Sequence, residues 1–98
     1  MLMLTLSIKA NTLYATLKGK LTEKEVRDFH FYFKPYMQSK EVKEVICNCK
    51  GLRKMDYLGR LAMLKLKLDL KSEKKGLSLS EVSNELRKKF IGYRMRIL

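Results

Sequence analysis

"VKEVICNCKGLRKMDYLGRLAML" (residues 42–64) decides the fold. Its first part, residues 42–49, is apolar and β-branched and reads as a strand. The centre of that strand, Val45-Ile46-Cys47, is continuously apolar, which suits a central strand covered on both faces. Its last part is rich in leucine and methionine, and Asp56 stands at the turn between the two. Farther on, "LKLKLDLK" (residues 64–71) alternates strictly and alone would be read as a strand. Against that, no β-branched residue occurs between Tyr57 and Lys71, leucine, lysine and methionine are strong helix formers, and about fourteen residues is long for a strand. A helix is expected, with some of its leucine left exposed or covered by a partner.

On the C-terminal side, Lys74-Lys75-Gly76 supplies a basic last turn and a glycine stop. A short strand over residues 77–79 follows. Ser83 caps a further helix, with Glu85 in its first turn and Arg87, Lys88 and Lys89 toward its end, matching both ends of the helix dipole. Gly92 closes that helix, and "YRMRIL" (residues 93–98) is a last strand.

On the N-terminal side, "LMLTLSI" (residues 2–8) places Leu2, Leu4, Leu6 and Ile8 on one face, and "TLYATLKG" (residues 12–19) does the same with Leu13, Ala15 and Leu17. With the break at Ala10-Asn11, the pair reads as an antiparallel hairpin. Thr22 followed by Glu25 is a capping box, and Leu21 with Val26 can close a hydrophobic staple over it, so a helix starts at about residue 22. Val26, Phe29, His30, Phe33 and Met37 line one helical stripe, and Pro35 kinks or ends the helix. The aromatic cluster of Phe29, Phe31, Tyr32, Phe33 and Tyr36 reads as core rather than a ligand pocket, and His30 as a partly buried core residue. The element order is ββαβαβαβ: a small α/β domain, residues 1–98, in which an N-terminal hairpin and successive βα repeats share a mixed sheet.

Composition bounds the function. With 22 Lys and Arg against 10 Asp and Glu, the formal charge is +12, which predicts attraction to something acidic. The cations are spread from Lys9 to Arg96 in short pairs, a pattern expected of a solvated surface, so no specific nucleic-acid binding is expected. Cys47 and Cys49, one residue apart on a strand, cannot form a disulfide and are expected as reduced, half-buried thiols. With one histidine, His30, no zinc site and no other cofactor is expected. No nucleophile paired with a base, no carboxylate pair at catalytic spacing and no P-loop is present, so no enzyme activity is expected. Neither a signal peptide nor a membrane span is legible, which points to the cytoplasm and to no membrane insertion.

Asp56 falls where a central strand gives way to a helix, the place where sites collect in open α/β sheets, and a carboxylate there caps helix N–H groups. The segment around it resembles the central signature of STAS domains, the family of anti-sigma factor antagonists and sulfate transporter tails. There an apolar strand runs into an Asp-Ser-Ser-Gly or Asp-Ser-Thr-Gly turn that opens a helix. "GKLT" (residues 19–22) and "GLSLSEVSNELRKKF" (residues 76–90) resemble the family's other motifs in order and spacing.

The resemblance implies a cytoplasmic bacterial binding module. Its partner would be an anti-sigma factor that is also a serine kinase, released when the second hydroxyl of the turn is phosphorylated. Asp56 matches the family's aspartate and Gly59 its glycine, while Tyr57 and Leu58 occupy the hydroxyl positions. Leu58 stands at the phosphoacceptor position and cannot take phosphate, and Tyr57 would project its oxygen too far to substitute. Arg60 replaces a usually apolar residue. The turn Asp56, Tyr57, Leu58, Gly59 and Arg60 is therefore expected to bind a protein partner constitutively. The alternative is a STAS subunit of a larger assembly, such as a signalling scaffold or a membrane transporter with its ATPase. A small basic nucleic-acid binder comes third.

Overall fold

Alternation at the N-terminus gives two paired strands in the computed structural model, which describes all 98 residues. These are β1 (Leu2–Lys9) and β2 (Thr12–Leu21), antiparallel, with Leu4 opposite Leu17 and Leu6 opposite Ala15. Ala10 and Asn11 both take positive φ, at 52° and 65°, as a tight hairpin turn matched to strand twist requires. The Asn11 side-chain amide also donates to the Glu41 carbonyl at 3.1 Å, tying this turn to the approach of the next strand.

The capping box forms as a single 3-10 turn, Glu23–Glu25, before α1 (Val26–Phe33). The Thr22 N–H and hydroxyl both donate to Glu25 Oε1, at 3.1 and 2.6 Å. Pro35 sits in a second 3-10 turn, Lys34–Tyr36, and α1 stops before it. Next come β3 (Glu44–Met55), α2 (Tyr57–Ser72), β4 (Gly76–Ser80), α3 (Asn84–Lys89) and β5 (Arg96–Ile97). The strands stand in chain order, β1-β2-β3-β4-β5, and every pair after the hairpin is parallel.

That order decides the layers. Each right-handed crossover from β2 onward advances one strand in the same direction, so the helices collect on one face. Burial agrees: Val45, Cys47 and Cys49 are buried, whereas Ile46 and Asn48 between them are half-exposed. The expectation that this strand is covered on both faces is thus corrected; its apolar centre is explained by one buried face and by Ile46 lying beside Tyr14 across β2. The strand is also longer than residues 42–49, because its charged second half pairs with Lys18, Gly19, Lys20 and Leu21. Leu52 and Met55 there still face the core.

The alternating leucines of α2 form a helix. Ala62, Met63, Leu66 and Leu70 are buried and Leu68 is exposed, as the helical reading required. Its stop is one turn earlier than Gly76: Lys74 takes φ 60°, its N–H bonds the Lys71 carbonyl, and the Lys75 N–H bonds that of Leu70. Gly76 instead begins β4. Twenty buried residues form one continuous core, with Phe29 and Phe33 packed edge to face at 5.0 Å.

Both thiols are fully rather than half buried, and the Cys49 Sγ–H donates to the Cys47 carbonyl. Burial pushes the Cys49 thiol up to about 12 and the Cys47 thiol higher still, so neither offers a thiolate near neutrality. In native protein at pH 8, iodoacetamide is expected to label neither cysteine over an hour, and both promptly in 6 M guanidinium; mass spectrometry reads the difference.

Candidate functional site

The turn between β3 and α2 is one residue long. Asp56, in extended backbone, is the N-cap of α2, and its Oδ1 accepts the Gly59 N–H at 2.8 Å. Its other oxygen, Oδ2, accepts the Glu23 N–H at 3.0 Å. One carboxylate therefore caps α2 and fixes the start of the 3-10 turn before α1. The second bond was not legible in the sequence, because it joins residues 33 positions apart. Lys89, at the end of α3, donates to the Met55 carbonyl at 2.6 Å and holds the strand end from a third side.

These bonds hold the Asp56 carboxyl below its ordinary value, the Gly59 N–H first among the causes. A lowered folded pKa means that the stabilisation is full above the unfolded carboxylate range and is lost as pH falls through the folded value. Asp56→Ala is expected to cost about 1 to 2 kcal/mol at pH 7, as N-cap removals do. The gap from wild type is expected to narrow in urea titrations repeated below pH 4.

Gly59 is buried, and its freedom from a Cβ is what lets α2 approach β2. A Cβ at this position would stand 2.0 Å from the Leu21 carbonyl oxygen. This corrects the expectation that Gly59 faces a partner with Tyr57 and Leu58: it packs against the strand end instead. Tyr57 and Leu58, in the first turn of α2, are 59% and 41% exposed. Arg60 is half-buried, its guanidinium 5.4 Å from the Tyr57 ring centroid, and it holds that ring on the surface by a cation–π contact.

Leu58 opens onto a concavity of about 260 Å³ between α1 and α2, lined also by Val26, His30, Leu61 and Lys65. It continues into a second, of about 420 Å³, bordered by Arg27, Phe31, Lys34 and Met37. His30 lines both rather than filling the core. Burial, with Lys65 next in effect, lowers its pKa, so it is neutral near pH 7. The aromatics divide likewise: Phe29 and Phe33 are core, while Phe31 and Tyr32 are exposed. No three His, Cys, Asp or Glu side chains converge as metal ligands.

This whole-chain arrangement of strands and helices superposes on solved structures. The SpoIIAA anti-sigma factor antagonist in its unphosphorylated form matches at TM-score 0.81 and 21% identity, over 98% of this chain and 87% of that one. The chain has the SpoIIAA fold. That fold, five strands in a mixed sheet with three helices, is STAS-like. The phosphorylated form of SpoIIAA, the Bacillus cell-fate determinant, matches this STAS-like chain at TM-score 0.79 and 21% identity, over 98% and 89% of the two chains. A Thermotoga maritima protein provisionally assigned as an anti-sigma factor antagonist matches at 0.83 with 7% identity, over 96% and 84%. No family model and no curated protein sequence matches the chain. No helix of this STAS-like domain is long and apolar enough to cross a membrane.

Proposed function

We propose that this chain is a non-enzymatic STAS module of bacterial cytoplasmic signalling that binds its protein partner constitutively at the Asp56 turn. The observation that carries this reading is Leu58. It stands where the resemblance places a phosphorylatable hydroxyl, it is exposed on the second residue of a capped helix, and it cannot be phosphorylated.

The surroundings fit a permanent contact. Asp56 and Gly59 fix the turn from below, so little ordering remains to be done when a partner binds. Tyr57 and Leu58 then offer aromatic and aliphatic anchors beside the Leu61–Val26 concavity, the kind of residues on which interface energy concentrates. A SpoIIAA-like fold supports a protein partner, and an anti-sigma factor of the serine kinase class is the first candidate.

Affinity capture from native lysate at moderate salt tests this, with wild type beside Leu58→Glu and bound proteins identified by mass spectrometry. A buried glutamate at an apolar contact costs several kcal/mol if unpaired, so the variant is expected to lose the partner more than a hundredfold while circular dichroism stays native. Loss of a kinase-like protein supports the antagonist reading, and loss of a transporter ATPase the subunit reading. Retention of every captured protein by folded Leu58→Glu places the contact elsewhere.

A further inference from the structure

Some of the lysines and arginines that are scattered along the sequence, Lys18, Lys20, Lys50, Arg53 and Lys54, meet at one end of the sheet. On the sheet face away from the helices, Lys18 and Lys20 of β2 stand beside β3, where Lys20 lies opposite Lys54. Like charges directly opposite one another on neighbouring strands repel, and neither lysine of this pair is in an ion pair. Among all the lysines and arginines only Lys65 has an ion-pair partner, Asp69, on α2.

The backbone adds two more cations to the same end of the sheet. Between Thr16 and Lys20, β3 runs two residues longer than β2, with register shifts at Thr16/Lys18 and Gly19/Lys20. Such irregularities re-aim side chains and gather near functional sites. The first is secured by the Asn48 side chain, whose Oδ1 accepts the Lys50 N–H at 2.9 Å. Both run through glycines that admit no side chain easily: a Cβ on Gly51 would lie 3.0 Å from the Leu17 carbonyl, and Gly19 takes φ 107°. The result is a concavity of about 580 Å³ bordered by Lys18, Lys50, Arg53, Gly19, Gly51 and Met3, with no acidic residue on its wall.

Along β2 from that concavity the same face carries Thr16 and then Tyr14, which is 42% exposed and lies between Ser7 and Ile46 on the flanking strands. At about 3.3 Å per residue, Tyr14 is about 13 Å from Lys18, a span of about two nucleotides of extended chain. Arg96, opposite Ser78, adds a cation on the far side.

We infer that this open sheet face binds single-stranded nucleic acid, with backbone phosphates at Lys18, Lys50 and Arg53 and a base stacked on Tyr14. A positive track beside an exposed aromatic ring is the arrangement by which sheet surfaces hold single strands without reading a long sequence. The hydroxyls of Ser7 and Thr16 next to the ring can pair with base edges, which a layer of lipid headgroups does not present. The surface is separate from the Asp56 turn, so it goes beyond the partner-binding reading and stands without it.

Fluorescence anisotropy with labelled 12-nucleotide oligothymidine and oligouridine tests the inference, titrated with the 98-residue chain at 50 to 200 mM salt. Wild type is expected to bind at least one of them, and heparin to compete. Lys18→Gln with Arg53→Gln is expected to weaken binding at least tenfold and to flatten the logarithmic salt slope by about 1.4, at about 0.7 per lost phosphate contact. Tyr14→Ala is expected to cost about tenfold or more, and Tyr14→Phe, which keeps the ring and the packing, to bind as wild type. Arg27→Gln with Lys34→Gln, on the helix face, is expected to change little. Absence of binding at 50 mM salt overturns the inference. So does equal loss in the helix-face variant, or an unaltered Tyr14→Ala, since either reduces the effect to undirected charge. Binding of phosphatidylglycerol vesicles but of neither oligonucleotide overturns it in favour of a membrane.

Discussion

Gly59→Ala is expected to destabilise the domain by about 3 kcal/mol, at the upper end of what overpacking costs. The added methyl would meet the Leu21 carbonyl at 2.0 Å and the Met55 side chain at 2.9 Å. Met55 can turn aside, but Leu21 is backbone at the end of β2, and the next residues are anchored by the bond from the Glu23 N–H to Asp56. Relief therefore requires α2 to back away from the sheet, opening the contact that Ala62 and Met63 complete. Alanine's better helix propensity returns about 1 kcal/mol and does not offset this. For a domain of this size the melting temperature should fall by about 12 to 24 °C. Gly76→Ala is the control, because its Cβ would meet only Glu44 side-chain atoms at 3.4 Å or more. A Gly59→Ala protein as stable as wild type would contradict the close approach of helix and strand.

Phe29→Ala should cost about 3 to 5 kcal/mol, the range for removing a large aromatic from a core. Phe29 is wholly buried and lies across Phe33 at 5.0 Å, where α1 meets α2 and the sheet. Domains of this length have about 5 to 15 kcal/mol in total, so the variant is left near the folding threshold. Two positions on, Phe31 is 61% exposed, and Phe31→Ala should fall within about 0.5 kcal/mol of wild type. Urea unfolding of the pair checks both values. Similar midpoints for the two variants would mean that the helix presents a different face to the core.

How far the sequence could be read depended on the range of the interactions involved. The hairpin was legible because alternation in residues 2–8 and 12–19 is local, and so was the start of α1, where Thr22 and Glu25 are three residues apart. The second helix required a choice between a strict alternation and the absence of β-branched residues; propensity and the βα rhythm decided it correctly. The length of β3 is not legible, since residues 50–54 look like a loop until β2 is seen to pair with Gly51, Leu52 and Lys54. Likewise Val45-Ile46-Cys47 looks doubly buried to a reader who cannot know that all the crossovers advance the same way.

The candidate site divides along the same line. Asp56 as a helix cap is written in the Asp-x-x-Gly spacing, and the structure realises that bond at 2.8 Å. Its tie to Glu23, the burial of Gly59 under Leu21 and the brace from Lys89 join distant segments, and nothing near residue 56 announces them. The cationic concavity is the extreme case: it arises from two irregularities in strand register that bring together residues which are unremarkable in sequence.

The central claim, that the Asp56 turn is a preformed and permanent docking surface, is tested most directly by site-specific photocrosslinking. A benzoylphenylalanine would be placed at position 58, and in separate proteins at exposed positions 32 and 68, then irradiated in native lysate. A single protein crosslinked from position 58 but from neither of the others, with a yield unchanged by phosphatase treatment, is the predicted result. Crosslinks that form from position 32 or 68 while position 58 stays silent would contradict it.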